Sequence, residues 1–342
     1  MARVAIVLMN LGGPDSLEAV QPFLFNLFSD PAIIRLPAPI RLPLARLIAR
    51  RRAPVAREIY RRLGGASPLL ANTEAQGRAL QAVLGPDHRC FVAMRYWHPT
   101  SIETANEVAK WAPDEIVCLP LYPQFSTTTT TSSIAAWQSA ASRHGLDRIT
   151  RSVCCYPRAE GFVQAVANLV GPVLAMAEGS SKRPPVKHPR MLLTAHGLPK
   201  RIVQAGDPYS RQVEATAAAV VAALNRSELD WRICYQSRVG PLEWTGPSTD
   251  DEIRRAGVEG VPLVVVPISF VSEHSETLVE LDMDYREIAK RSGVPAYYRV
   301  PAVGIEPSFI RCLALLVGKA RAGELVSCPS SHPSYTLSRA AG

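Results

Sequence analysis

One histidine and a run of carboxylates are the side chains here best suited to acid–base or metal chemistry. His196 stands in Met191-Leu192-Leu193-Thr194-Ala195-His196-Gly197, directly after an apolar run that reads as a buried strand, so its imidazole should project from a strand end. A single histidine at such a point is structural about as often as it is functional. In Glu273-His274-Ser275-Glu276-Thr277-Leu278-Val279-Glu280-Leu281-Asp282-Met283-Asp284 the residues 273, 276, 280 and 284 follow i, i+3, i+7 and i+11, which puts four carboxylates along one helix face. They are either a solvated stripe or a row that binds a cation and relays protons. Imidazole and carboxylate together suit a borderline divalent ion such as ferrous iron. The sequence has no HExxH, GxSxG, GxGxxG, GKS or GKT, which argues against zinc hydrolysis, serine catalysis and nucleotide binding.

Three further groups end apolar runs. Arg95-Tyr96-Trp97-His98-Pro99 offers a charge and aromatic faces. Thr127 to Thr131 with Ser132 and Ser133 offers hydroxyls at a helix start, which either cradle an anionic group or form a long N-cap. Trp244 lies in a segment rich in Gly and Pro. Aromatic walls, basic rims and an acid–histidine pair fit a flat, apolar, anionic macrocycle.

These groups need a scaffold that brings strand ends together. A chain of 342 residues, 47% hydrophobic, has material for two α/β domains. Apolar runs near residues 4–10, 90–95, 115–122 and 152–156, separated by helix-length segments, repeat near 191–195, 232–237, 263–269 and 297–300. The repetition extends to detail: Ile6 to Pro14 resembles Met191 to Pro199, Leu119 to Ser126 resembles Val265 to Ser272, and Tyr156 to Phe162 resembles Val303 to Phe309. The expected fold is α/β, two similar Rossmann-like domains, each a four-stranded parallel sheet flanked by helices, with the active-site cleft between them at the strand carboxyl ends. The expected domains are residues 1–178 and 190–322, with a Ser-, Lys- and Pro-rich linker at 179–189 and a flexible tail over 323–342.

The first half is roughly 38 residues longer than the second between equivalent turns, as an insertion would make it. Residues 21–60 fill the gap. There Phe, Leu, Ile and Pro alternate with many arginines, which supply much of the net charge of +8. The stretch has no stacking aromatics of the nucleic-acid-binding kind and no known module, so no nucleic acid is expected. It reads equally as a membrane-surface element or as an amphipathic helix packed on its own domain. Seven scattered cysteines form neither a disulfide framework nor a CxxC pair, which suits a reducing cytoplasm. No export leader and no apolar run near the length of a bilayer span is read.

The ordered motifs Leu11-Gly12-Gly13-Pro14, Tyr60-Arg61-Arg62-Leu63-Gly64-Gly65-Ala66-Ser67-Pro68, Arg95-Tyr96, Tyr122-Pro123-Gln124-Phe125-Ser126, Ala195-His196-Gly197-Leu198-Pro199, Gly206-Asp207-Pro208-Tyr209, Gln236-Ser237-Arg238-Val239-Gly240-Pro241 and Glu273 to Leu278 closely resemble the ferrochelatase family. The likeness runs from Val4 to about Leu316. It implies a metal chelatase, a lyase that inserts ferrous iron into protoporphyrin IX to make haem and releases two pyrrole protons. By the same resemblance His196 and Glu276 are catalytic, and the metal meets His196, Glu276, Glu280 and Asp284. Leu11, Tyr60, Ser67, Arg95, Tyr96, Tyr122, Trp244 and His274 match positions around the porphyrin. The proposed step has neutral His196 accept a pyrrole proton, and residue types alone leave open whether it or Glu276 handles metal.

The insertion resembles the family's porphyrin-admitting lip, implying peripheral contact with the inner face of the membrane. The resemblance also implies transient contact with the preceding haem-pathway enzyme, and a monomer or homodimer. Some members carry a [2Fe-2S] cluster. Here Ser330, Ser331 and His332 follow Cys328, and Thr127 stands where animal enzymes have a cysteine ligand, so no cluster and no other cofactor is expected. Leu11 replaces the tyrosine of coproporphyrin-using members. The alternatives are a coproporphyrin ferrochelatase, a cobalt or nickel tetrapyrrole chelatase of the same fold, and a two-lobed haem- or metal-binding protein without turnover.

Overall fold

A computed structural model describes residues 2–146, 149–180, 188–238, 240 and 242–324. The tail expected over 323–342 lies outside the described residues from 325 onward, as does most of the 179–189 linker.

The first half runs β1 (Val4–Asn10), α1 (Val20–Phe28), α2 (Ala38–Arg62), α3 (Leu69–Leu84), β2 (His88–Met94), α4 (Ser101–Trp111), β3 (Glu115–Pro120), a π-helix (Thr127–Thr131) continued by α5 (Ser132–Ser142), β4 (Thr150–Ser152) and α6 (Glu160–Ser180). The second runs β5 (Arg190–His196), α7 (Lys200–Gln204), α8 (Tyr209–Leu224), β6 (Trp231–Gln236), α9 (Thr249–Glu259), β7 (Leu263–Pro267), a π-helix (Glu276–Asp284) continued by α10 (Tyr285–Arg291), β8 (Tyr297–Arg299) and α11 (Pro307–Arg321). Both sheets are parallel and four-stranded, in the orders β2-β1-β3-β4 and β6-β5-β7-β8. The duplicated rhythm of apolar runs is therefore a duplicated topology. Parallel strands covered by helices on both faces need apolar side chains in both directions, and β1 is buried at every position. The central strands β1 and β5 end at the crevice where the winding reverses, which is where such sheets place ligands.

The last strand of each half is shorter than its apolar run suggests. β4 covers Thr150–Ser152 and pairs with Ile116, Val117 and Cys118, whereas the expected strand was 152–156. Val153, Cys155 and Tyr156 are buried but fill core beyond the ladder, and apolar sequence alone does not separate a paired strand from buried coil.

The terminal helices exchange places. α6 follows the first sheet but packs on α8, β7 and β8, and α11 follows the second sheet but packs on α3, α6, β3 and β4. Val166, Val170 and Leu174 of α6 and Phe309, Leu313 and Val317 of α11 share one core with Ile6 and Leu8 of β1 and Leu193 of β5. The chain boundary near 179–189 thus divides the two sheets, while the helices that cover them are shared. α6 is also the described helix long and apolar enough to span a membrane, over Glu160–Gly179.

One close approach is testable without touching the cleft. Gly257 in α9 faces Ser292 so closely that a Cβ would overlap its backbone carbonyl. Gly257→Ala should cost about 1–3 kcal/mol, seen as a Tm lowered by several degrees with activity per folded molecule unchanged.

Candidate active site

β5 carries His196 to the crevice, its last residue and the half-buried end of an otherwise buried strand. The carboxylate row arrives on the π-helix Glu276–Asp284. The expectation had been four carboxylates on one helix face beginning at 273. Instead the wide i→i+5 turn starts at Glu276, and Glu273 lies before it, where it pairs with Arg299 at 2.5 Å and accepts from the Ala302 N–H at 2.9 Å. Glu273 is a structural anchor outside the row. Glu276, Glu280 and Asp284, each four residues on, remain in it.

His196 Nδ1 lies 2.9 Å from Glu276 Oε2, and the two side chains are 37% and 30% exposed. This leaves Nε2 as the nitrogen turned away from the carboxylate. The Trp244 ring stands edge-on to the imidazole at 6.5 Å. His274 places Nε2 3.9 Å from the same Glu276 oxygen, while its Nδ1 is 3.1 Å from the Ser272 carbonyl. That carbonyl can only accept, so Nδ1 carries a proton and Nε2 is the nitrogen turned toward Glu276. The Phe270 ring lies tilted against His274, with centroids 4.7 Å apart.

The electrostatics of the pair are reciprocal. Burial pulls the His196 pKa down, but the charge and hydrogen bond of Glu276 and the charge of Glu280 outweigh it, and the net shift is upward from 6.5. Burial pushes Glu276 up, yet His196 and the neighbouring His274 hold it well below the usual carboxylate range. Glu280 is raised by burial and by the Glu276 charge, against hydrogen bonds from Ser237, Tyr285 and Gln236. The Glu276 charge thus favours a proton on the His196 ring against the opposing effect of burial.

Glu280 accepts the Ser237 N–H at 2.9 Å, its hydroxyl at 2.5 Å, the Gln236 amide at 3.0 Å and the Tyr285 hydroxyl at 2.9 Å. Ser237 holds φ at +61° to do so, a strained backbone of the kind that collects at functional sites. Asp284 ends the row, paired with Arg62 at 2.7 Å. Among the described residues no three His, Cys, Asp or Glu side chains stand close enough to hold a metal ion.

The first half supplies the opposite wall. Tyr60 lies beside Ser275, and burial with the nearby Glu276 charge pushes its phenol up to about 12. Ser67 accepts the Leu69 N–H at 3.3 Å just before α3 and lies against Gly13, and Leu11 packs with Tyr96, Trp97 and the apolar faces of α1 and α2. Tyr122 is buried, 3.2 Å from the Ser133 hydroxyl. Arg95 does not offer a free charge: it pairs at 2.8 Å with Asp30, which is buried and also accepts the Tyr96 hydroxyl at 2.8 Å and the Ser132 hydroxyl. The hydroxyl run, expected either to cradle an anion or to cap a helix, meets an anion from within the chain. Asp207 accepts the Ser126 hydroxyl, the Thr127 N–H and the Thr127 hydroxyl at 3.0, 2.8 and 2.7 Å, fastening the two halves together.

Several site-building residues carried no sequence signal beyond position in a motif. Asp30, Ser275, Tyr285 and Ser237 are examples. So is Gln76, buried in α3, whose amide donates to the Val271 and Gly304 carbonyls at 2.7 and 2.9 Å and accepts the Ser272 hydroxyl at 2.9 Å. With Asn72 bound to the Glu273 carbonyl at 2.9 Å, it holds the segment leading into His274 and Glu276 against the first half.

The two-sheet fold is shared with solved chelatases. The sirohydrochlorin chelatase SirB from Bacillus subtilis subspecies spizizenii, solved with cobalt, matches with a TM-score of 0.54 at 13% identity, over 94% of this chain and 98% of that one. A family model for ferrochelatase matches residues 3–321. The ferrochelatases of Phenylobacterium zucineum and Caulobacter vibrioides are 54% and 53% identical to it, over 96% and 92% of this chain and 96% and 89% of theirs. The chain belongs to the ferrochelatase family.

Proposed function

We propose that the chain is a protoporphyrin ferrochelatase, a lyase that inserts ferrous iron into protoporphyrin IX to form haem. The observation that carries this reading is the His196–Glu276 pair, 2.9 Å apart at the end of β5, facing Tyr60 across the cleft. The porphyrin lies between that pair and the wall of Leu11, Tyr60, Ser67, Tyr96 and Tyr122, with Trp244 and His274 beside it. Arg95 acts by fixing Tyr96 through Asp30. Ferrous iron is a substrate and passes Asp284, Glu280 and Glu276 in turn. Two pyrrole nitrogens lose protons as the iron–nitrogen bonds form, and His196, whose side chain is 37% exposed, takes them in turn at Nε2 and passes each to solvent. A dication arriving at Glu276 offsets part of the carboxylate charge that favours a proton on His196.

The chain works without an iron–sulfur cluster in this reading: the Thr127 hydroxyl that replaces the animal ligand is bound to Asp207. Cys328, the start of the C-terminal pattern, lies outside the described residues. The insertion is a peripheral membrane lip on the cytoplasmic side. α2 turns Ala45, Ala49 and Ala53 inward and leaves Ile40, Leu47 and Val55 exposed among arginines, which fits both packing on its own domain and an anionic apolar surface.

The test supplies protoporphyrin IX and ferrous iron anaerobically and follows the haem spectrum. Conversion with iron is expected, and faster than with coproporphyrin. Conversion with cobalt alone would make the chain a cobalt chelatase, and tight porphyrin binding without conversion would make it a binding protein.

A further inference from the structure

The carboxylates of the segment 273–284 differ in what holds them. Glu273 and Asp282 share Arg299, a side chain only 9% exposed. Glu276 has His196, and Glu280 has the hydroxyls and amide around Ser237. Asp284 is held from the other half of the molecule: Arg62, the last residue of α2, donates Nη1 to Oδ1 at 2.7 Å, and the two side chains are 35% and 47% exposed. The same last turn of α2 puts Tyr60 against Ser275 and Glu276, while Arg61 turns to Glu58 at 2.8 Å. The end of α2 therefore lies along the π-helix, with its phenol at the inner end of the row and a guanidinium at the outer end.

We infer that Arg62 governs metal intake by competing with the divalent substrate for Asp284, the outermost carboxylate of the row. The inference rests on the reading that iron passes along that row. A dication approaching Asp284 meets a carboxylate already neutralised, and must displace the guanidinium. An exposed pair of this kind contributes little, so it can be broken by a dication. It still biases capture, because the local field is one positive charge less favourable than the carboxylates alone would make it. Arg62 thus weakens capture of any divalent ion at the mouth without touching the reacting atoms.

Steady-state kinetics with ferrous iron under anaerobic conditions test this. Arg62→Gln should lower the KM for iron by about twofold to fivefold, the range an exposed ion pair supports, with kcat and the KM for porphyrin unchanged. Added salt should shrink the difference. Arg62→Lys, which keeps the charge, should behave as the unaltered protein, separating electrostatics from a structural effect. Asp284→Asn should raise the KM for iron, and adding Arg62→Gln to it should do nothing further. If Asp284→Asn raises the KM but Arg62→Gln leaves it alone, or lowers it equally in the Asp284→Asn background, the role of Arg62 is overturned by itself. If Asp284→Asn leaves the KM unaltered, the row as the iron route fails, and the inference with it.

Discussion

His196→Ala should lower the turnover of iron insertion by about a hundredfold to ten-thousandfold, the range a positioned proton acceptor contributes, while the protein stays folded. The side chain is 37% exposed and its one strong partner is Glu276, so its removal leaves the strand core of β5 intact. What disappears is the nitrogen that, in the proposed reading, takes the pyrrole proton. Glu276 also loses the cation that holds its carboxyl low, so its pKa should rise back toward the ordinary range. Porphyrin affinity should change far less than turnover, because the opposite wall comes from the first half. Measuring proton release and metal binding separately divides the roles: the variant should still take up metal yet release pyrrole protons slowly. Unchanged chelation by His196→Ala would sink the assignment.

Glu276→Gln should be nearly as damaging, and its pH signature is distinct. In the unaltered chain His196 sits above 6.5 because the charge of Glu276 and its hydrogen bond overcome burial. Removing that charge lets burial act against the weaker pull of Glu280, so the His196 pKa falls. A base that must be neutral to accept a proton then becomes available at lower pH, and the acid limb of kcat/KM moves to lower pH even as the maximum drops. Histidine NMR titration reads the same shift directly, and an unmoved His196 titration would rule out the coupling.

Stability follows the same pair. A raised His196 contributes stability that is full below its unfolded value of 6.5 and is lost as pH rises through the folded pKa. A depressed Glu276 contributes above its unfolded value of 4.5 and loses this as pH falls through the folded pKa. Both contributions are complete between about 4.5 and 6.5, where the Tm difference between Glu276→Gln and the unaltered chain should be largest. Both side chains are about a third exposed, so solvent screens the effect.

Glu273 shows the limit of spacing arguments. Its i, i+3 relation to Glu276 is a fact of sequence, but a helix that starts at Glu276 leaves Glu273 to pair with Arg299. Arg95 shows the limit of residue type, since a cation at a strand end was legible while the buried Asp30 that neutralises it, 65 positions earlier by 95 − 30, was not. The hydroxyl run at 127–133 was legible as an anion-binding start of a helix. That its anion is Asp207, 80 residues away, depends on how the two halves meet.

The sequence by itself determined the two parallel sheets, because long apolar runs separated by helix-length segments bury both faces only in that arrangement, and the same runs occur twice. It also determined His196 as a strand-end residue and the Glu276, Glu280 and Asp284 row, since both follow from local period. The tertiary structure alone decided the partners: Glu276 on His196, Ser237 and Gln236 on Glu280, Arg62 on Asp284, and α6 and α11 exchanged between sheets. Charge pairing and helix cover depend on distances between residues far apart in the chain, and local periodicity carries no information about those distances.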